Sequence, residues 1–198
     1  MKLKETILLT GTIFAIDLII YSIPDSFAYF ALSGVAFFSG EFYRLVTFLF
    51  VHLNSLHLTE NLVALIVASA LAYEFDLSGK DYIISFAATA LIVALPSVYL
   101  YPTILIGGSS LGIYAVFGAL TVKGGDFMPR RFLVPIFGFS IFYNFVKDLI
   151  LEPALVTKEM IYQTLFHFSG FMTGAILFYL LLHITYTRKM RKKHDIAA

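Results

Sequence analysis

Two serines and a histidine occupy positions in this chain where a hydroxyl could be activated as a nucleophile. Ser109 and Ser110 follow Gly107 and Gly108 and begin an apolar helical stretch. Unpaired amides and the positive dipole end of such a helix would stabilise an oxyanion. Taken alone, Ser110 is more simply explained as a helix N-cap, the common use of serine at a helix start. The chemistry therefore depends on whether a base reaches this end of the helix.

His167 is the candidate base. Gly170 and Gly174 follow it at i+3 and i+7, on one helix face, and small residues at this spacing allow a second helix to approach closely. The helix beginning near Ser110 has its own small residues at helical spacing: Gly108, Gly112, Ala115 and Ala119. Packing of the two helices would bring the imidazole beside the serine hydroxyls. A histidine that is hydrogen-bonded across helices only for packing is the alternative.

Further polar residues lie in the apolar runs. His57 and Asn61 are separated by four residues and so project from one helix face, where they could donate to a developing oxyanion. Joining helices is the other common use of Asn in membranes. Asp17 and Glu60 are ionisable residues in apolar runs, where such groups are costly and usually functional, but the sequence indicates no role for either.

Other chemistries lack their motifs. The H-E-x-x-H spacing of a metalloprotease and the Gly-rich phosphate-binding sequences are absent, and Asp17 has no evident intramembrane Asp partner. Cysteine is absent, and no acidic third member is evident near His167. A Ser–His dyad that needs no metal and no cofactor is therefore the simplest hypothesis.

The elements that must position these residues are membrane-spanning helices. Of 198 residues, 59% are apolar and 14% charged, with a mean hydropathy of +0.85, whereas soluble domains are about 25% charged. A net charge of +1 argues against an ordinary nucleic-acid binder. The charge pattern predicts an all-α membrane protein, a single domain over 1–198 with six transmembrane helices at 6–23, 46–73, 82–101, 110–122, 132–150 and 165–187.

Orientation follows from the distribution of Lys and Arg. With the N-terminus inside, 11 of the 14 basic residues lie on the inner side, which predicts that both termini are cytoplasmic. The loop 24–44, rich in Phe and Ala, is expected to be a structured interfacial element. The basic tail 188–198 is expected to contact anionic membrane lipid.

The fourth helix is too short to cross the bilayer. A helix over 110–122 spans roughly 20 Å of a hydrocarbon core about 30 Å thick, so it starts roughly 10 Å below the outer surface. The chain must descend to it as irregular backbone, which is tolerated at depth only where it is buried in protein or lines a wet cavity. Ser109 and Ser110 would lie in that sunken cavity.

Four motifs, in the order of the predicted spans, resemble rhomboid intramembrane serine proteases. The stretch 107–115 is similar to the family's G-x-S-G-x-x-Y-A signature, and His167 with Gly170 and Gly174 is similar to its H-x-x-G-x-x-x-G. His52, His57 and Asn61 match its H-x4-H-x3-N pattern, and Tyr43–Arg44 stands where the family has Trp–Arg. The motifs together cover nearly the whole chain.

The resemblance implies a six-helix core that cleaves transmembrane segments of other membrane proteins. Ser110 takes the place of the nucleophile and His167 that of the general base. The Ser110 amide, His57 and Asn61 take the places of the oxyanion donors, and Tyr114 that of the tyrosine packed under the imidazole. The Phe-rich stretch 132–145 resembles the family's lateral substrate gate. Gly108, Gly112, Gly170, Gly174, His52 and Arg44 are expected to support the site.

Two positions depart from the family pattern. Leu111 replaces the Gly that follows the nucleophile, and Tyr43 replaces the Trp. The first allows an alternative, a catalytically weak or inactive rhomboid-like protein that binds membrane clients. A transporter or channel is a further alternative, based on Glu60 and Asp17, although the chain lacks internal repeats.

The sequence also predicts mutant behaviour and location. Replacement of Ser110 or His167 by Ala should abolish cleavage, whereas Ser109→Ala should be tolerated. The expected location is a prokaryotic cytoplasmic membrane, where the partners are transmembrane protein substrates and membrane lipid.

Overall fold

The computed structural model describes residues 1–151 and 157–197, and it describes the side chains of these except Asn144, Asp148, Leu151, Glu159 and 188–197. The helices are α1 (Leu3–Tyr21), α2 (Ser26–Phe30), α3 (Gly34–Phe38), α4 (Arg44–Thr47), α5 (Ser55–Glu74), α6 (Gly79–Ile83), α7 (Thr89–Leu100), α8 (Ser110–Lys123), α9 (Arg130–Leu151) and α10 (Lys158–Ala197). A π-helical turn, Ile84–Ala88, joins α6 to α7. The predicted all-α fold is thus confirmed for the part of the chain that is described. The side chains of the basic tail 188–198, which the sequence predicts to contact anionic lipid, lie outside the described part.

Three helical segments in the described part are long and apolar enough to cross a membrane: Ser55–Glu74, Gly79–Leu100 and Met160–Thr187. The helix α1 carries Lys4, Glu5 and Asp17, and α8 has only 14 residues. The number of crossings and the cytoplasmic position of both termini therefore stay predictions.

The second long helix begins later than the sequence predicts. A span over 46–73 was expected, but α5 begins at Ser55 because the Asn54 side chain accepts a hydrogen bond from the His57 amide at 2.9 Å. Val51 is extended, after α4 and a 3-10 turn at Phe48–Phe50. This cap places His57 in the first turn of α5.

Arg44 fixes the loop that precedes α5. One of its terminal nitrogens donates to the carbonyl oxygens of Ala28 and Ala31, both at 2.8 Å, and its Nε donates to Glu41 at 2.8 Å. Hydrogen bonds from Arg44 and from the Tyr43 hydroxyl hold the pKa of Glu41 below its usual range. The segment 24–44 contains α2 and α3, and its position in the membrane interface stays a prediction.

The helix α8 lies at the centre of the bundle. All residues of 111–121 are buried. The non-helical backbone before it is tied to the preceding loop: Leu32 and Ile106 exchange backbone hydrogen bonds, and the Gly108 amide donates to the Phe48 carbonyl at 2.8 Å. Of this irregular backbone, Gly108 and Ser109, which lead directly into the short helix, are buried.

Only some of the small residues predicted at helical spacing lie in the close contact between α8 and α10. Gly174 lies against the Ala115 carbonyl, and Gly118 lies against the Phe171 carbonyl. Gly112 does not take part, because a β-carbon there would meet the Phe86 ring on the π-helical turn. Small residues at helical spacing cover a helix face that is wide enough to contact two neighbouring elements. Spacing alone therefore does not show which neighbour each glycine contacts.

Candidate active site

The serine hydroxyl and the imidazole that the sequence singled out lie within hydrogen-bond distance. Ser110 is the first residue of α8, and its Oγ is 3.0 Å from His167 Nε2 on α10. Ser109, not Ser110, occupies the N-cap position, and its side chain makes no capping hydrogen bond. Hence the simple N-cap interpretation of Ser110 does not describe its contact.

A tyrosine ring supports the imidazole. The rings of Tyr114 and His167 have centroids 4.4 Å apart and planes inclined by 30°. The Tyr114 hydroxyl donates to the Ser140 carbonyl on α9 at 2.9 Å. His167 is buried, and its Nδ1 has no hydrogen-bond partner among the described residues. Nε2 can accept from Ser110 when the ring proton is on Nδ1.

His57 and Asn61 line the same small cavity as Ser110 and His167. Its volume is about 50 Å³, and its lining residues are His57, Glu60, Asn61, Ala64, Ser110, Ile113, Tyr114, Gln163 and His167. Gly108 has a φ of 122°, and a β-carbon there would lie 2.9 Å from His57 Cε1 and 3.3 Å from Asn61 Nδ2. Two neutral donors thus stand beside the backbone that leads into Ser110.

Of the expected supporting residues, Tyr114 lines the cavity, whereas His52, Arg44, Gly112 and Gly170 are not among its lining residues. His52 is buried behind His57, with ring centroids 5.2 Å apart, and neither ring nitrogen has a partner among the described residues. Arg44 belongs to the loop that it fixes, and Gly112 contacts Phe86. Gly170 lies beside Leu111, on the contact between α8 and α10.

Leu111 fits into that helix contact. It is 4% exposed, and a β-carbon on Gly170 would come within 2.8 Å of Leu111 Cδ1. The branched side chain therefore occupies the space that the missing side chain of Gly170 leaves. The departure from the family's glycine adds bulk at this contact.

Sequence reasoning did not find the contacts of the Glu60 and Asp17 carboxylates. Glu60 Oε1 accepts from Lys147 Nζ at 2.6 Å, an ion pair between α5 and α9. Asp17 on α1 accepts from the Ser109 hydroxyl at 3.4 Å. Gln163 was also missed, although it lies four residues before His167 and so on the same helix face.

The described residues hold no cluster of three His, Asp or Glu side chains that could bind a metal ion. What they do bring together is a hydroxyl, an imidazole and two neutral donors in one cavity of an apolar helical bundle. A hydroxyl paired with a base, with donors near the attacked carbonyl, is the arrangement of serine hydrolase sites.

Comparison with protein families agrees with this class. The rhomboid domain matches residues 39–184, about three quarters of the chain. The chain therefore belongs to the rhomboid family, whose domain is a membrane helical bundle. Searches among curated proteins and among solved structures gave no match.

Proposed function

We propose that the protein is an intramembrane serine endopeptidase that cleaves transmembrane segments of other membrane proteins in a prokaryotic cytoplasmic membrane. The observation that carries the proposal is the 3.0 Å contact between Ser110 Oγ and His167 Nε2 in a cavity that His57 and Asn61 also line. Membership of the rhomboid family supports the same activity.

In the proposed reaction, Ser110 Oγ attacks the carbonyl carbon of the scissile peptide bond. His167 Nε2 accepts the hydroxyl proton and then gives it to the leaving amine. The Ser110 amide, His57 and Asn61 donate hydrogen bonds to the tetrahedral oxyanion. Water, activated by the same imidazole, then hydrolyses the acyl-enzyme and restores the hydroxyl. Tyr114 keeps the imidazole plane in place through both steps.

Neither alternative gains support from the contacts of the residues that suggested it. A non-cutting rhomboid-like protein was suggested by Leu111, but that side chain is packed against Gly170. A transporter was suggested by Glu60 and Asp17, yet each carboxylate has a partner, Lys147 and Ser109 respectively. Neither contact favours a transport pathway over a protease site.

The test is labelling of the purified, folded protein with a fluorophosphonate, which reacts only with an activated serine. We expect the wild type to label and Ser110→Ala and His167→Ala to lose labelling entirely. Ser97→Ala is the matched control, since the Ser97 hydroxyl bonds to the Val93 carbonyl of its own helix. Ser109→Ala should still label when the probe is in excess. A folded wild type that does not label would leave the non-cutting alternative.

A further inference from the structure

Asp17 carries a buried carboxylate that the proposed reaction does not use. Asp17 lies in α1, in an apolar environment, and is 0% exposed. Its Oδ2 accepts from the Ser109 hydroxyl, and its Oδ1 has no hydrogen-bond partner among the described residues. Burying a carboxylate costs stability unless hydrogen bonds or an opposite charge compensate for the lost water, and for Asp17 the described polar contact is the one with Ser109.

That contact reaches the residue immediately before the proposed nucleophile. Ser109 is 0% exposed and stands at the N-cap of α8, where a serine side chain ordinarily accepts a hydrogen bond from the second or third helical amide. Here it makes no such bond and turns to Asp17 instead. The side chain of Ser109 is therefore anchored outside its own helix, on α1.

The anchor acts beside the peptide group that begins the helix, since the Ser109 carbonyl accepts a hydrogen bond from the Ile113 amide at 3.0 Å. The carbonyl of Ser109 and the amide of Ser110 belong to the same planar peptide, so fixing Ser109 restricts the direction in which the Ser110 N–H can point. Gly108, just before it, has a φ of 122°, a conformation that glycine adopts readily, and its amide donates to the Phe48 carbonyl. The hydrogen bond from Ser109 to Asp17 adds a second constraint at the position where the proposed oxyanion donor must be aimed.

The family resemblance does not account for this tie. The matched region is residues 39–184, and α1 lies wholly before it. We infer that Asp17 is a positioning residue: through its hydrogen bond with Ser109 it aims the Ser110 amide at the oxyanion. This inference rests on the proposed function, because it assigns a task only if Ser110 is the nucleophile.

The test measures the rate of fluorophosphonate labelling on the folded fraction, and kcat and KM for a transmembrane substrate. We expect Asp17→Leu and Ser109→Ala each to lower the labelling rate constant and kcat about tenfold at unchanged KM, since a misdirected oxyanion donor weakens transition-state stabilisation. This replaces the expectation that Ser109→Ala is fully tolerated. The double variant should be no slower than either single one, because both remove the same hydrogen bond.

Two further variants separate positioning from support of the fold. Asp17→Asn keeps an acceptor oxygen for the Ser109 hydroxyl and should stay within about twofold of the wild-type rate. Thr10→Val is the matched control on α1, since the Thr10 hydroxyl has no partner among the described residues, and it should label at the wild-type rate.

The outcomes are distinct for the two proposals. If the wild type fails to label, the proposed function is wrong. If it labels in a Ser110-dependent manner while Ser109→Ala and Asp17→Leu label at the wild-type rate, only the inference about Asp17 is overturned. Losses that multiply in the double variant, or a fall in thermal stability without a change in rate, would likewise contradict positioning through Ser109.

Discussion

The helices α8 and α10 contact each other through their backbones, whereas α9 contacts its neighbours through side chains. Where α8 meets α10, glycine brings backbone against backbone: Gly118 lies against the Phe171 carbonyl, and Gly174 lies against the Ala115 carbonyl. On α9, Gly138 has open space where a β-carbon would be. The same residue type is thus indispensable in one region and unconstrained in the other.

Side chains attach α9 to its neighbours. Phe137 stacks on Phe117, with ring centroids 5.1 Å apart, and the Ser140 carbonyl accepts from Tyr114. Toward α5, the described polar contact is the ion pair between Lys147 and Glu60. Many other large apolar side chains of α9 are exposed: Phe132, Val134, Ile136, Phe139, Phe142 and Tyr143.

This difference implies that α9 can move more easily than α8 and α10 can move against each other. Backbone contacts in a close-packed interior cannot yield without distorting a helix, whereas side-chain contacts are released by rotamer changes. Ser110 and His167 belong to α8 and α10, so their separation is maintained by the rigid contact. We expect α9 to be the helix that moves when a substrate segment reaches the cavity.

The largest effect expected from this comparison comes from one methyl group. Gly174→Ala should destabilise the protein by about 3 kcal/mol and remove labelling, because the new β-carbon overlaps the Ala115 backbone. Gly138→Ala, the matched change on α9, should keep wild-type labelling and shift stability by no more than about 1 kcal/mol, in the stabilising direction. Thermal unfolding in detergent measures both. Equal stability of the two variants would contradict the distinction between the regions.

The next effect concerns the ion pair at the cavity wall. Lys147→Met should raise the cleavage rate of a transmembrane substrate about threefold, because α9 loses its polar tie to Glu60 on α5. Labelling by the small fluorophosphonate should not change, since the probe needs no displacement of α9. Cleavage assays in liposomes and labelling rates, measured side by side, provide the comparison.

A reversed pair is the control for this prediction. Glu60→Lys combined with Lys147→Glu restores opposite charges at the same two positions, so cleavage should return close to the wild-type rate. If Lys147→Met instead slows cleavage and labelling together, the ion pair supports the site itself and α9 is not released by its loss.

The parts of the site that local spacing determines are the ones that the sequence indicated. Four residues separate His57 from Asn61, and the glycines after His167 predict a close helix contact on one face; the structure brings these side chains into one cavity. A short helix after Gly107 and Gly108 was also predicted, and α8 starts at Ser110. Each of these follows from helical periodicity or from the lengths of charge-free runs.

The parts that depend on distant pairs were not predictable. Glu60 and Lys147 are 87 residues apart, and Asp17 and Ser109 are 92 apart, so nothing local indicates either contact. The start of α5 was predicted too early because 46–53 is mostly apolar and has no Asp, Glu, Lys or Arg, and only the cap by Asn54 marks the true start. Hydropathy identifies an apolar segment, but it does not say which part of that segment is helical.

Tyr114 belongs to both regions, and the smallest expected effect concerns its hydroxyl. Tyr114→Phe keeps the ring against His167 but removes the hydrogen bond to the Ser140 carbonyl on α9. We expect a loss of about 1 kcal/mol in stability and a labelling rate within about twofold of wild type. Tyr114→Ala, which also removes the ring, should slow labelling much further, because the imidazole loses its support. If Phe and Ala slow labelling equally, the link to α9 is what keeps His167 in place, and the rigid region extends across α9 as well.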